Sequence, residues 1–282
     1  MQDGISVSSL WYNELIMSNQ QAVNVLCLKW GERYPAFYVN RLYAQVMRHL
    51  SRPFRFVCIT DDAQGIDPAV DCVPFPEDPH VFSRPWPNIF IKLCLFRRGF
   101  ADLKGPTLFL DIDQLVIRPI DKFFDYHPGD FCIIHNWVER RKRIFRKLPF
   151  IGNSSCFRFD AGSDAAQRVY EIFLRDRDDK SLYDPYFNHG SQKFQTRAMR
   201  EAGTVTWWPD EWVSSFKRHC IPPFPLNKFL TPRYPKTASV IAFHGRPDLD
   251  EAIAGYEANG TLRTTHLTCL PTPWAKACWE GL

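Results

Sequence analysis

The sequence contains no CxxC pair, and its nine cysteines, an odd number, are scattered from Cys27 to Cys278. That spacing excludes a zinc ribbon and a disulfide scaffold. Several cysteines lie in apolar runs, where a reduced thiol behaves as a small hydrophobe, and this predicts a reducing, cytoplasmic setting. No stretch approaches eighteen consecutive apolar residues, so no transmembrane helix is expected. The first residues lack a basic segment followed by an apolar one, and no secretory signal is predicted. Charge of one sign is also scarce. A net charge of +4 suits an anionic small molecule or an anionic membrane face, and is too weak to argue for nucleic acid.

What is present is ample material for a core. Hydrophobic residues make up 45% of the 282-residue chain and aromatics 15%, with 23 Phe and 22 Pro, which predicts an aromatic-rich sheet with many turns. The length allows one large α/β domain or two small ones. The ordered pattern starts only at Ala22, so residues 1–20 read as a flexible extension, with Met17 an alternative start, and 21–282 as a single domain.

The stretch around which the rest is organised is Gly105 to Pro119. Thr107 to Leu110 is a short apolar run that predicts a strand covered on both faces, and it leads directly into Asp111-Ile112-Asp113. Ligands of open α/β sheets bind outside the carboxyl ends of the strands. Two carboxylates placed there are costly to bury unpaired, and a divalent cation with oxygen ligands, Mn²⁺ or Mg²⁺, would satisfy them. Asp at a strand end also makes ordinary turn hydrogen bonds.

Other strand ends carry polar groups too. Val23 to Leu28 predicts the first strand, ending in Lys29-Trp30-Gly31; Lys29 and Trp30 there suit a phosphate and a planar base, although Trp30 could equally be core. Lys29-Trp30-Gly31-Glu32 is not a Gly-rich phosphate loop, which argues against a metal-dependent nucleotidyltransferase. Apolar residues at Phe37, Val39, Leu42, Tyr43 and Val46 predict an amphipathic helix over Tyr34–His49. Phe54 to Ile59 predicts the second strand, followed by Asp61 and Asp62, which could accept from a ribose or cap a turn. A short edge strand over 70–74, Pro-rich loop over 74–88 and a helix over Asn88–Phe100 carrying Lys92 follow.

Beyond the Asp pair the pattern predicts a helical turn at 120–125, a strand at 130–135 and a polar Gly-Asn-Ser-Ser turn that feeds a strand ending at Asp160. Helices over 165–175 and 192–202, a strand over 205–208 and a strand over Ser239–Phe243 come next, the last delivering His244-Gly245-Arg246. Neutral imidazole is a metal ligand and Arg pairs with phosphate. A helix over 249–256 precedes an irregular or weakly helical tail. Arg140, Arg141, Lys142, Arg143, Arg146 and Lys147 form a basic cluster that is a solvated loop or a contact for anionic headgroups at residues 140–147.

Taken together, Thr-Asp-Asp after a strand, Phe-Leu-Asp-Ile-Asp, Asn-Ser-Ser and the late Phe-His-Gly-Arg-Pro resemble nucleotide-sugar glycosyltransferases of the GT-A fold. The likeness is to glycosyltransferase family 8, the glycogenin and lipopolysaccharide-galactosyltransferase kind, and bacterial relatives. It covers most of residues 22–250 at motif level. It implies a Rossmann-like α/β fold with a mixed, mostly parallel sheet and flanking helices, a UDP-sugar donor and a glycan, lipid-linked or other acceptor; the cysteine usage sets such an enzyme in the cytoplasm, and the basic cluster at 140–147 suits a peripheral contact at the inner membrane face. Asp111, Asp113 and His244 would hold Mn²⁺ (or Mg²⁺), and Gly245 and Arg246 would face the diphosphate. Lys29, Trp30, Asp61, Asp62 and Lys92 would contact the donor; Asn153, Ser154 and Ser155 would lie near the transferred sugar. Asp113, Arg246 and Gln192 would be the catalytic set.

Three departures stand out. Ser155 replaces a Gly, Ser191 in Gly190-Ser191-Gln192 replaces an Asp that contacts the donor sugar, and the Lys near the final His motif has no counterpart beyond Arg246. The resemblance favours retention of configuration; an inverting enzyme would need a base such as Asp210 or Glu211. A nucleotide-sugar-binding protein without turnover is the non-enzymatic alternative.

Overall fold

The computed structural model describes residues 22–77, 91–137, 150–176, 190–258 and 264–281, with the side chains of Gly190 and Ser191 left out. The expected extension at 1–20 and the basic segment at 140–147 lie outside the described residues.

Seven strands form the main sheet: β1 (Val23–Lys29), β2 (Phe54–Thr60), β3 (Asp71–Val73), β4 (Gly105–Leu110), β6 (Phe131–His135), β7 (Gly152–Ala161) and β8 (Val205–Trp207). Their order is β3-β2-β1-β4-β7-β6-β8. All pairs are parallel except those β7 makes with β4 and β6. The protein is therefore an α/β protein with a mixed, mostly parallel central sheet, and β4 is its middle strand. A second sheet joins β5 (Leu115–Val116), β9 (Val213–Ser215) and β10 (Val240–Ala242).

Alternation along the strands separates two cores. Val25, Cys27, Leu108 and Leu110 face one side, with α1 (Ala36–His49) and the second sheet. Leu26, Leu28, Phe109, Phe157 and Phe159 face the other, with α3 (Asp164–Asp176) and α4 (Gly190–Ala202). Burial on both faces explains why these strands read as continuous apolar runs. Helix α1 turns Tyr38, Val39, Leu42 and Val46 inward, the spacing of an amphipathic helix. The short α2 (Lys122–Asp125), α5 (Leu249–Ala254) and α6 (Pro273–Glu280) complete the set, α5 closed by a capping box between Asp248 and Glu251.

Three expectations change. The helix over 88–100 is, where described, two 3₁₀ turns, Ile91–Phe96 and Phe100–Asp102; Gly99, Ala101 and Asp102 take positive φ, which stops the first from continuing as a helix. Asn153 to Ser155 are strand residues of β7 rather than a turn. Their polar groups find local partners, since the Ser155 N–H donates to Asn153 Oδ1 at 2.9 Å. Gly152 allows the close approach there: a Cβ would stand 2.4 Å from the Ile133 side chain. Finally, the strand that delivers His244 belongs to the second sheet, between β5 and β9.

One buried cation organises the turn after α2. Arg158 of β7 is almost wholly buried, and its guanidinium donates to the carbonyls of Phe123, Phe124, Tyr126, His127 and Asp130. Those acceptors close a turn whose backbone at His127 has φ of 45°. Replacing Arg158 by Met would leave several buried carbonyls without donors. The expected loss is roughly 3 kcal/mol or more of unfolding free energy, checked by denaturant titration of the Arg158→Met variant. A loss under roughly 1 kcal/mol, the size of an ordinary surface effect, would contradict this role.

Candidate functional site

Because β1, β2, β4, β6 and β8 run the same way and β7 runs against them, one rim of the sheet gathers the carboxyl ends of the first five and the amino end of β7. Lys29 pairs with Thr60 across β1 and β2, so Lys29 and Asp61–Asp62 emerge side by side. Asp111 and Asp113 follow β4 on the next strand. The chain passes from β1 outward to β3, then returns to β4 on the other side of β1, so the crevice between β1 and β4 is a topological switch point.

At that crevice the residues interlock. Lys92, in the 3₁₀ turn, donates to Asp111 Oδ1 at 2.6 Å and to the Ser154 carbonyl at 3.2 Å. The Ser155 carbonyl accepts from the Asp111 N–H at 2.9 Å and from Gln114 Nε2 at 2.8 Å. Across the sheet, Tyr34 donates its hydroxyl to Asp113 Oδ2 at 3.2 Å. Burial, and then the charge of Asp111, push the Asp113 carboxyl up to about 7, against the opposing pull of the Tyr34 bond and Lys92. Burial, then the charge of Asp113, push the Tyr34 phenol well above its usual range.

The candidates after β1 and β2 are tied to one another, with Lys29 buried and Asp61 and Asp62 exposed. Lys29 is buried and donates to the Asp62 carbonyl at 3.2 Å. The Gly31 N–H donates to Asp61 Oδ2 at 2.9 Å, while the Asp62 carboxylate accepts from the Gln64 N–H at 2.8 Å. Asp62 thus caps its own turn, while Asp61 ties the loop after β2 to the loop after β1. Trp30 is 42% exposed, so it is not a core residue and its ring is open to a planar partner.

On the far side, Gln192 in the first turn of α4 accepts from Asn136 Nδ2 at 2.6 Å, just beyond β6. His135 stacks on Trp207 with ring centroids 4.3 Å apart and meets Asp210 Oδ1 at 3.4 Å; Glu211 is exposed. The described backbone puts Ser191 in the opening turn of α4.

His244 reaches this rim through Trp137, whose ring stacks on its imidazole at 5.4 Å and 11°. Its Nε2 lies 2.7 Å from Ser215 Oγ, so Nε2 would reach a cation only by giving up that bond. Lys217 donates to the His244 carbonyl and approaches Gly245, where a Cβ would stand 3.3 Å from its ammonium. Burial holds the Lys217 ammonium below its ordinary range. Arg246 instead turns to the helix that follows, pairing with Glu251. Sequence reasoning missed Tyr34, Trp137, Ser215 and Lys217. None of the four carries a local sequence signal, because each meets its partner across a long stretch of chain or in the short second sheet.

The geometry brings the two aspartates together with Lys92, Ser154 and Ser155, and leaves His244 on its own stack. Among the described residues no three His, Cys, Asp or Glu side chains form a metal-holding group. The carboxylate pair by itself still fits a hard cation, which commonly takes one or two protein carboxylates and completes its shell with phosphate and water. Lys92 is bonded to Asp111, whereas Asp113 has the neutral Tyr34 hydroxyl as its partner; burial, and then the charge of Asp111, raise its carboxyl. A separate concavity of about 510 Å³ opens at the opposite rim, lined by Arg98, Lys104, Asp160 and Ser163 among others, away from these residues.

Comparison with protein-family models and with curated proteins returns no match.

A carboxyl raised in the folded state stabilises the cation-free protein fully below the unfolded value of about 3.9, and that contribution fades as pH rises through about 7. A cation must displace this proton. Mn²⁺ affinity should therefore climb about tenfold per pH unit on approach to 7 and level off above it, with the slope lost in Asp113→Asn. Calorimetric titration at several pH values checks this, and an affinity independent of pH would contradict it.

Proposed function

We propose that the chain is a metal-dependent glycosyltransferase, hexosyltransferase-like, that takes a sugar from a nucleoside diphosphate donor, a UDP-sugar, to a glycan or lipid-linked acceptor. The observation that carries this reading is the under-compensated carboxylate pair at the carboxyl end of the middle strand, beside the switch point and facing Lys92. The motif resemblance to GT-A glycosyltransferases of family 8 supports it, since the quoted motifs fall on this one rim or are stacked against it.

In this reading Asp111 and Asp113 would hold Mn²⁺ or Mg²⁺, which when bound would supply Lewis-acid stabilisation of the diphosphate leaving group. Lys92 orients Asp111 and ties it to the Ser154 carbonyl, so the acid's position is set before the donor arrives. Trp30, exposed at the end of β1, stacks on the base, and Lys29, Asp61 and Asp62 shape the loop beneath it. Lys217, near His244 and Gly245, adds positive charge on the diphosphate side that Arg246, paired with Glu251, shares with its own helix. Gln192 and Asn136 border the sugar side. Asp210 is engaged with His135, which suits a retaining enzyme, where no carboxylate base is required at the acceptor.

The test is UDP release from a panel of UDP-sugars with Mn²⁺. Turnover is expected in the native protein, with a loss of at least about 100-fold in Asp113→Asn, the scale of removing one charge-stabilising group. Tight UDP binding with no turnover in any donor–acceptor pair would make the protein a nucleotide-sugar binder instead. Unchanged turnover in Asp113→Asn would remove the Asp pair from the reaction.

A further inference from the structure

Between Glu211 and Asp248 the sequence has no acidic residue, while Lys217, Arg218, Lys228, Arg233, Lys236 and Arg246 all fall there. The same stretch concentrates exposed apolar surface. Of the nine large hydrophobic residues exposed among the described ones, five are Phe224, Leu226, Phe229, Leu230 and Tyr234, and Phe229 is 75% exposed. Single exposed apolar residues are normal; a contiguous set rimmed by charge marks an interaction surface.

The loop is held rather than loose. Asn227 is fully buried, and its Nδ2 donates to the Thr265 and Thr268 carbonyls at 2.9 and 2.7 Å. The Arg233 N–H donates to the Cys220 carbonyl at 2.8 Å, Trp274 Nε1 to the Pro232 carbonyl at 2.9 Å, and the Arg118 guanidinium to the Pro235 carbonyl at 2.7 Å. The buried Asn227 thus fixes a turn that leaves Phe224, Leu226, Phe229 and Leu230 exposed. Lys228 lies over the Phe224 ring, 5.9 Å from its centroid, so cation and ring share one face. Pro222, Pro223, Pro225, Pro232 and Pro235 carry no N–H, which reduces the backbone donors that would lose water on entering an apolar boundary.

We propose that residues 224–236 dock the protein on an anionic lipid bilayer. Phe224, Leu226, Phe229 and Leu230 enter the boundary between headgroups and acyl chains, and Arg218, Lys228, Arg233 and Lys236 lie against anionic headgroups. Charge complementarity selects this occupant: an acid-free stretch with exposed cations suits an anionic surface, and alternating aromatic and basic residues suit its interface. The claim does not rest on the transferase reading, because docking needs neither donor nor cation. It places the rim near His244 at the membrane, since Lys217 joins the start of this loop to the His244 carbonyl.

The test is co-sedimentation of the full chain with phosphatidylcholine vesicles, with and without phosphatidylglycerol, at low and high salt. Binding should be at least about tenfold stronger with the anionic lipid and fall with salt. The double variant Phe229→Asp, Leu230→Asp should lose it at least about tenfold, with an unchanged melting temperature because both side chains are exposed. Phe229→Trp should shift its emission to the blue on anionic vesicles alone. Equal binding to neutral vesicles, no binding, or native binding by the double variant would overturn the proposal. So would concentration-dependent self-association that the double variant abolishes without any vesicle binding, which would assign the face to a second copy.

Discussion

Two carboxylates one residue apart at the end of the middle strand are held by different partners, Asp111 by the Lys92 ammonium and Asp113 by the Tyr34 hydroxyl, and the arrangement of the rim follows from holding them there. Lys92 can face Asp111 only because the chain between Ile91 and Phe96 is wound into a tight 3₁₀ turn against the sheet. Asp111 stays in register because its own N–H is bonded to Ser155, the residue opposite it on the antiparallel strand. Gln114 adds a second donor to the same carbonyl. The acids sit in the turn that the Gln114 N–H closes on the Asp111 carbonyl, and the polar stretch Asn153–Ser155 anchors that turn to the neighbouring strand.

That arrangement depends in turn on the sheet changing direction at β7. A wholly parallel sheet would put the amino end of the neighbouring strand on the opposite rim, and the Ser154 and Ser155 carbonyls would be far from Lys92 and Asp111. The register slips between Ile133 and Ile134 of β6, so that Ile133 pairs with Phe157 and Ile134 with Asn153. Such irregularities commonly sit where a sheet ends beside a site. Arg158, at the opposite face of this strand from Phe157 and Phe159, keeps the turn below it closed.

Much of this was legible in the sequence. Strands β1, β2, β4 and β6 and helices α1, α3 and α4 are long enough for apolar runs or hydrophobic period to reveal them, and the doubled acid at the end of β4 declares itself by following a buried run. What was not legible is of two kinds. Elements of two or three residues, such as β5 and β9, carry no period, so the second sheet and the position of His244 within it could not be foreseen. Long-range polar pairings also leave no local trace: Tyr34 to Asp113 spans 79 positions and Lys92 to Ser154 spans 62. The 3₁₀ turn was misread as a helix because Leu93, Leu95 and Phe96 are apolar at spacings both structures share, and only the positive φ angles at Gly99 and beyond decide between them.

The central claim is that the aspartate pair is built to hold a divalent cation against a nucleoside diphosphate. Thermal unfolding with UDP and Mn²⁺, separately and together, tests it most directly, because a ligand bound only by the native state raises the melting temperature. The account predicts a rise with both ligands well above the sum of the separate rises, and no such excess in the Asp111→Asn, Asp113→Asn double variant. An equal rise with UDP in the presence and absence of Mn²⁺, or an undiminished excess in that variant, would contradict it.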